Sequence, residues 1–185
     1  MSNEIQKECW KKRFYSFGTV KIFEKRASSL NTKRKVITFL GLVSPLVVGT
    51  FAASFTFDSE ILKFIVAPIA GLITVIQAIF SLWSLVSRWD ENYIYSVNSI
   101  KVNTHLTSEF EKLANSTDGI MGRNIGRLRD EYERQEMADS TQHITDKEKR
   151  FAQRSALFHY KSKCPTCNEV PQRIKASKCD SCGNF

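Results

Sequence analysis

The chain has 185 residues, 27 Lys and Arg against 19 Asp and Glu, a formal net charge of +8 and five cysteines. That length leaves room for two membrane segments, one helical region and a small appended module, but not for several large domains. The excess charge is local: residues 1–35 hold ten Lys/Arg and three acids, whereas residues 88–185 hold sixteen and fourteen. This distribution favours membrane topology and anionic lipid over nucleic acid as the reason for the basic N-terminus.

Residues 1–35 form the first segment. Over 3–30 the pattern predicts an amphipathic helix. Ile5, Cys9, Phe14 or Trp10, Phe17 and Ile22 or Phe23 give an apolar stripe, and Lys7, Lys11, Lys12, Arg13, Lys21, Lys25 and Arg26 a basic surface. Such a helix suits either the headgroup region of a bilayer or the side of a helical bundle in the same protein. Gly18 is a candidate break between two shorter helices.

Residues 36–87 organise the rest. Two stretches, 36–57 and 64–87, contain no charged residue and are separated by only six residues, Asp58 to Lys63. A helix of about 20 residues crosses the roughly 30 Å hydrocarbon core of a bilayer. The pair therefore predicts a transmembrane helical hairpin. A cleaved signal sequence fits poorly, since the first stretch starts late, is too long and is followed at once by a second. Ten Lys/Arg precede the first span and one lies in the loop, which places both termini on the cytoplasmic side.

In the first span Gly41, Pro45, Gly49 and Ala53 recur every four residues. Small residues at that spacing allow close helix packing, with the second span as the natural partner, and Pro45 can kink the helix. In the second span Ala70, Thr74, Gln77, Ser81, Ser84 and Arg88 fall 4, 3, 4, 3 and 4 residues apart, on one face. Ile69, Leu72, Ile76, Ile79, Phe80 and Trp83 cover the others. The polar face reads either as the lining of a pore in an oligomer or as hydrogen-bonding contact between packed helices.

Residues 88–160 read as a cytoplasmic helical region. Arg88 and Trp89 mark the membrane interface. Tyr93, Val97, Ile100, Leu106, Phe110 and Leu113 continue a 3–4 spacing, which predicts one uninterrupted helix from Phe64 to about Asn115. Ser116 to Gly119 reads as a turn. A charged helix over 120–139 follows, with Arg127, Arg129 and Arg134 among acids on a solvated face. Thr145-Asp146-Lys147-Glu148 is a capping box that opens a last helix to about Tyr160, with Phe151, Leu157 or Ser155, and Phe158 as its modest apolar side.

Residues 161–185 carry Cys164-Pro165-Thr166-Cys167 and, after eleven residues, Cys179-Asp180-Ser181-Cys182. Each pair presents two thiolates from one turn, and two pairs make a closed tetrahedral site. The expected cofactor is structural Zn²⁺ on Cys164, Cys167, Cys179 and Cys182. Basic neighbours Lys163, Arg173 and Lys178 favour the thiolates. A reducing cytoplasm argues against two disulfides. The module has almost no core, so the metal is expected to fold it. Cys9 is left over as an ordinary thiol.

No phosphate-binding glycine loop is present, and His105, His143 and His159 lie in separate elements, so an enzyme is not expected. The basic helix, the two-span hairpin with its short loop, and the segment Trp89-Asp90-Glu91 through Thr104-His105-Leu106 to Glu109-Phe110-Glu111-Lys112-Leu113 resemble the SLATT domain, roughly over residues 5–160. The tail is similar to small CxxC-x11-CxxC proteins of mobile elements. The SLATT resemblance implies a bacterial inner-membrane effector that forms pores in a nucleotide-activated antiviral system.

The resulting expectation is an all-α membrane protein: a two-helix transmembrane hairpin, a cytoplasmic helical bundle and a C-terminal zinc ribbon. Its partners would be the lipid bilayer, further copies of itself, and a cytoplasmic sensor protein or nucleotide signal. The alternative is a non-conducting membrane-anchored adaptor whose ribbon binds a protein or nucleic acid.

Overall fold

The computed structural model describes residues 2–54, 64–65 and 67–185. The expected inter-span turn at 58–63 and the end of the first apolar stretch lie outside the described residues. Within them the protein is all-helical and contains no strand. Its helices are α1 (Ser2–Ser54), α2 (Ala67–Val86), α3 (Trp89–Ala114), α4 (Asp118–Ser140) and α5 (Asp146–His159).

The helices divide into two compact units. The larger comprises the chain up to Arg26 together with Tyr95–Phe185, and the smaller is Ala27–Ile94. α1 thus gives its first half to one unit and its second half to the other.

In the larger unit the apolar stripe of α1 faces other helices. Cys9, Leu106, Phe110, Leu113, Ala114, Ile125, Leu128 and Tyr132 form one buried cluster, with Ile5 and Val102 packed against it. The ends of that contact are pinned by charge. Arg129 pairs with Glu8, and Arg13 donates to Glu111 at 3.0 Å. Lys12 lies 4.1 Å from the centre of the Tyr132 ring and Lys25 4.6 Å from that of Phe151. The structure packs this helix on the bundle, and part of the basic surface is spent on it.

Gly18 does not break α1. A Cβ on it would lie 3.3 Å from the Cβ of Ala152, so the missing side chain is what lets α1 approach α5. Further along, Arg26 grips the start of α5. It donates to both Glu148 carboxylate oxygens, at 2.6 and 2.8 Å, and to the carbonyl of Gln142 at 2.8 Å. Glu148 is also the last residue of the expected capping box, the third of the helix itself. Its carboxylate accepts from the Thr145 N–H while the Thr145 hydroxyl accepts from the Glu148 N–H.

The first half of α3 differs from the sequence reading. The buried positions are Ser96, Ser99 and Asn103, not an apolar continuation of Leu106 and Phe110. The cause is on α4, where Asp139 is buried, 4% exposed as a residue. It accepts hydrogen bonds from Tyr95, Ser99 and Gln135 on one oxygen and from Asn103 on the other, at 2.8–2.9 Å. A buried charge needs donors, and the polar face of α3 supplies them. α4 likewise has a buried side, so its charges do not all face solvent.

The single helix expected from Phe64 to Asn115 is divided. α2 ends at Val86, Arg88 takes a left-handed backbone (φ 49°), and α3 starts at Trp89. The Arg88 N–H bonds the Leu85 carbonyl at 3.1 Å, a tightened last turn. The Arg88 carbonyl then accepts from the Asn92 N–H, and the Asn92 side chain donates back to the Ser87 carbonyl. No Pro or Gly is needed for this bend, so the sequence pattern does not announce it. The turn before α4 is also shorter than read, since α4 already begins at Asp118.

In the smaller unit α2 is one helix long and apolar enough to cross a membrane, with no buried residue. α1 continues through Pro45. At one end of this unit Arg34 pairs with Asp90 and lies 4.5 Å from the centre of the Tyr93 ring, and Lys33 lies 5.1 Å from that of Trp89.

Candidate functional site

The four cysteines of the tail meet. Their sulfurs all lie within 4.8 Å of one another, with Cys164 and Cys179 at 4.0 Å and Cys167 and Cys182 at 3.8 Å. None is in a disulfide. Metal–sulfur bonds of about 2.3 Å in a tetrahedron separate the sulfurs by about 3.8 Å, so the spacing fits a four-cysteine metal centre.

The two turns repeat one geometry. In each, the N–H four residues on closes on the first cysteine: Asn168 to the Cys164 carbonyl at 2.9 Å, Gly183 to the Cys179 carbonyl at 2.8 Å. The residues at matching positions, Thr166 and Ser181, join through their hydroxyls at 2.6 Å. Backbone N–H groups of Cys182 and Ser181 point at the Cys179 sulfur and hold that thiol down at about 7. Burial would raise the Cys164 thiol, but the N–H groups of Cys167 and Thr166 outweigh it and lower it. Those two thiolates are therefore favoured mainly by backbone dipoles, whereas burial and the neighbouring sulfurs push the Cys182 thiol up, and the Cys167 thiol is raised as well. The basic neighbours Lys163, Arg173 and Lys178 are not among the causes.

Two residues that sequence reasoning missed complete the site. Arg154 of α5 donates to the Arg173 carbonyl at 3.1 Å, the Ser177 hydroxyl at 3.0 Å and the Cys182 carbonyl at 3.2 Å, and reaches the Cys182 sulfur at 3.8 Å. It places a positive charge beside a centre that carries net negative charge once four thiolates bind a divalent ion. Gly183 is the other: a Cβ there would overlap the carbonyl oxygen and hydroxyl of Ser177. The module is also less isolated than its sequence implies. Cys164 and Cys182 are buried with Leu157, and Phe14, Cys167 and Cys179 pack against them. Phe158, expected on the apolar side of α5, is exposed instead, and Ala152, Ser155 and Ala156 join Leu157 in being buried.

The membrane-stripe residues lie in the smaller unit. Ser44 and Pro45 of α1 and Thr74, Gln77 and Ser81 of α2 line a groove of about 390 Å³. The Gln77 amide nitrogen lies 3.5 Å from where a Gly41 Cβ would stand. Ser84 lines a separate groove with Phe39, Leu42 and Asp90. Gly49 has open space where a Cβ would be. Ala53 is in α1, but its side chain lies outside what the structure describes. Arg88 lies just beyond the end of α2, with a left-handed backbone and an exposed side chain beside Glu91.

Among the described residues, the fold and the site together define an all-helical protein with a C-terminal cluster of four cysteines that could bind a metal ion and one apolar helix of membrane-spanning length. The chain belongs to the Mobilome CxxCx(11)CxxC protein family, whose model matches residues 6–185. The match takes in the helices as well as the cysteines. No curated protein and no solved structure matches the chain.

Proposed function

We propose that this protein is an oligomeric, two-span protein of the bacterial inner membrane, with both termini cytoplasmic, that permeabilises the membrane when a cytoplasmic signal rearranges its bundle. The observation that carries the membrane part is α2. It presents Ile69, Leu72, Ile76, Ile79, Phe80, Leu82 and Trp83 with no buried residue among its twenty. Soluble monomers rarely expose contiguous apolar surface on this scale, whereas a bilayer satisfies it. The uncharged stretch of α1 from Val36 supplies the second span.

Permeabilisation draws support from the groove around Gln77. An amide and hydroxyls at mid-membrane depth call for protein or water beside them, and further copies of the chain can provide either. The role in antiviral defence rests on the resemblance to SLATT proteins. The ribbon would hold one structural Zn²⁺, since four cysteines close the coordination shell and leave no position for a reacting water.

A second reading is a non-conducting adaptor, anchored by the hairpin, whose ribbon binds a protein or nucleic acid. The approach of Gln77 to Gly41 favours it, because the stripe then serves packing within one chain. Ion flux through the purified protein in liposomes separates the two. Conduction, with or without candidate activating nucleotides, supports the effector; a protein that assembles and never conducts supports the adaptor. For the metal, Cys179→Ser is expected to lose zinc, and elemental analysis showing full zinc content in that variant would refute the assignment.

A further inference from the structure

The larger unit contains a cavity of about 460 Å³ whose walls come from α1, α3, α4 and α5. This volume is in the range of small-molecule sites. Phe14, Tyr15 and Tyr132 supply aromatic walls, and Asn103 and Asp139 are among the polar residues of the lining.

Asp139 decides what the cavity can take. Among the described residues its four hydrogen-bond partners are all neutral, and no Lys, Arg or His pairs with it. Its negative charge is therefore solvated but not neutralised. The bonds are also unevenly shared. One carboxylate oxygen accepts from Tyr95, Ser99 and Gln135 and the other only from Asn103. Three donors crowd one oxygen and a single donor meets the other, so the second oxygen is the one with room for a further donor. Glu136 adds a second acid to the lining. Lys149, the one base there, pairs with Asp146 at 3.3 Å.

We infer that this cavity binds a small organic cation, an amine or amidine on an aromatic or apolar body. The cationic head would donate to the second oxygen of Asp139, and the body would lie against Phe14, Tyr15 and Tyr132. A buried, uncompensated carboxylate favours a cation, and aromatic faces favour it further. An anion would meet two carboxylates, so free phosphates and carboxylic acids are disfavoured. The inference does not depend on whether the protein conducts ions.

The test uses the full-length protein in detergent with benzamidine and phenethylamine as probes, and benzamide and benzoate as neutral and anionic controls. Calorimetric titration at millimolar ligand, where fragments of this size begin to bind, should show heat for the cations and none for the controls. Gln153→Phe, which adds bulk to the α5 side of the lining and leaves Asp139 unchanged, should weaken the cations about tenfold or more while the protein stays folded. Asp139→Asn should abolish the preference of cation over benzamide if it folds, and Gln153→Phe decides the matter if it does not. Binding of benzamide or benzoate as strongly as the cations, failure of both cations to bind, or unchanged affinity in Gln153→Phe would each overturn the assignment.

Discussion

Single residues with little apparent chemistry hold the metal centre in shape. Gly183 is the clearest. Its turn passes so close to Ser177 that any side chain must displace the backbone. Gly183→Ala is therefore expected to weaken metal binding by about 10–100-fold, the usual cost of disturbing an outer shell, while the helices stay folded. Competition with a chromophoric chelator measures the first and circular dichroism the second. Glu148 makes a second prediction, in pH. Burial would raise its pKa, but the Arg26 guanidinium and the N–H and hydroxyl of Thr145 outweigh it and bring the group from 4.5 down to about 2. A depressed carboxylate stabilises the fold fully above its unfolded value and loses that contribution as pH falls through the folded one. The melting temperature should thus drop between about pH 4.5 and pH 2. Glu148→Gln should be less stable than the wild type near neutrality, and the gap should close across that window. A constant gap would show that the pair with Arg26 contributes nothing.

At the scale of elements, helix contacts are less legible in the sequence than helices. The capping box at Thr145 and the two CxxC turns are readable because each is a local device, in which residues a few positions apart satisfy one another. The bend at Arg88 is not, since it comes from one left-handed residue and the Asn92 side chain, with no Pro or Gly to announce it. The buried Ser99 and Asn103 of α3 are hidden for another reason: their partner Asp139 is 40 and 36 residues away, and a polar residue shows no burial in its own pattern. Gly18 misleads in the same way. It reads as a local flaw, when its cause is a neighbour 134 residues on, as counted from Gly18 to Ala152. The close approach there gives a graded test. Gly18→Ala puts a methyl 3.3 Å from the Ala152 Cβ, a contact that a slight shift can relieve, and Ala gains helix propensity over Gly by up to about 1 kcal/mol. Gly18→Leu leaves no such relief and is expected to cost about 1–3 kcal/mol by forcing α1 from α5. Urea unfolding of the two variants should place alanine near the wild type and leucine well below it. Equal stability would mean that the contact is slack.

For the whole molecule, the decisive question is what surrounds α2. The polar stripe and the apolar faces of this helix make opposite demands, and a charge placed on each distinguishes lipid from water and protein. On the Ile79 face a lysine would meet hydrocarbon, at a cost of about 2.5–3.5 kcal/mol on insertion scales. Ile79→Lys is therefore expected to insert or assemble poorly under either reading of the function, and normal insertion would argue against the membrane placement itself. Ser81 is the informative position, because it lines the groove with Ser44, Pro45 and Gln77. If copies of the chain enclose water along that groove, the Ser81→Lys ammonium is hydrated. The variant then inserts, assembles and shifts ion selectivity toward anions. If the groove is closed by packing, the same lysine has neither water nor an acid beside it and assembly fails. Gln77→Leu sharpens the contrast. In a wet pore it removes one polar group from the wall and leaves the packing of the two spans intact, whereas in a packed interface it removes an amide from the α1 contact and weakens the association of α1 with α2. Crosslinking in native membranes reads assembly, and liposome flux reads conduction. Assembly of Ser81→Lys with altered flux is the outcome the effector predicts; loss of assembly in Ser81→Lys together with weakened association in Gln77→Leu would rule out the pore and leave the anchored adaptor.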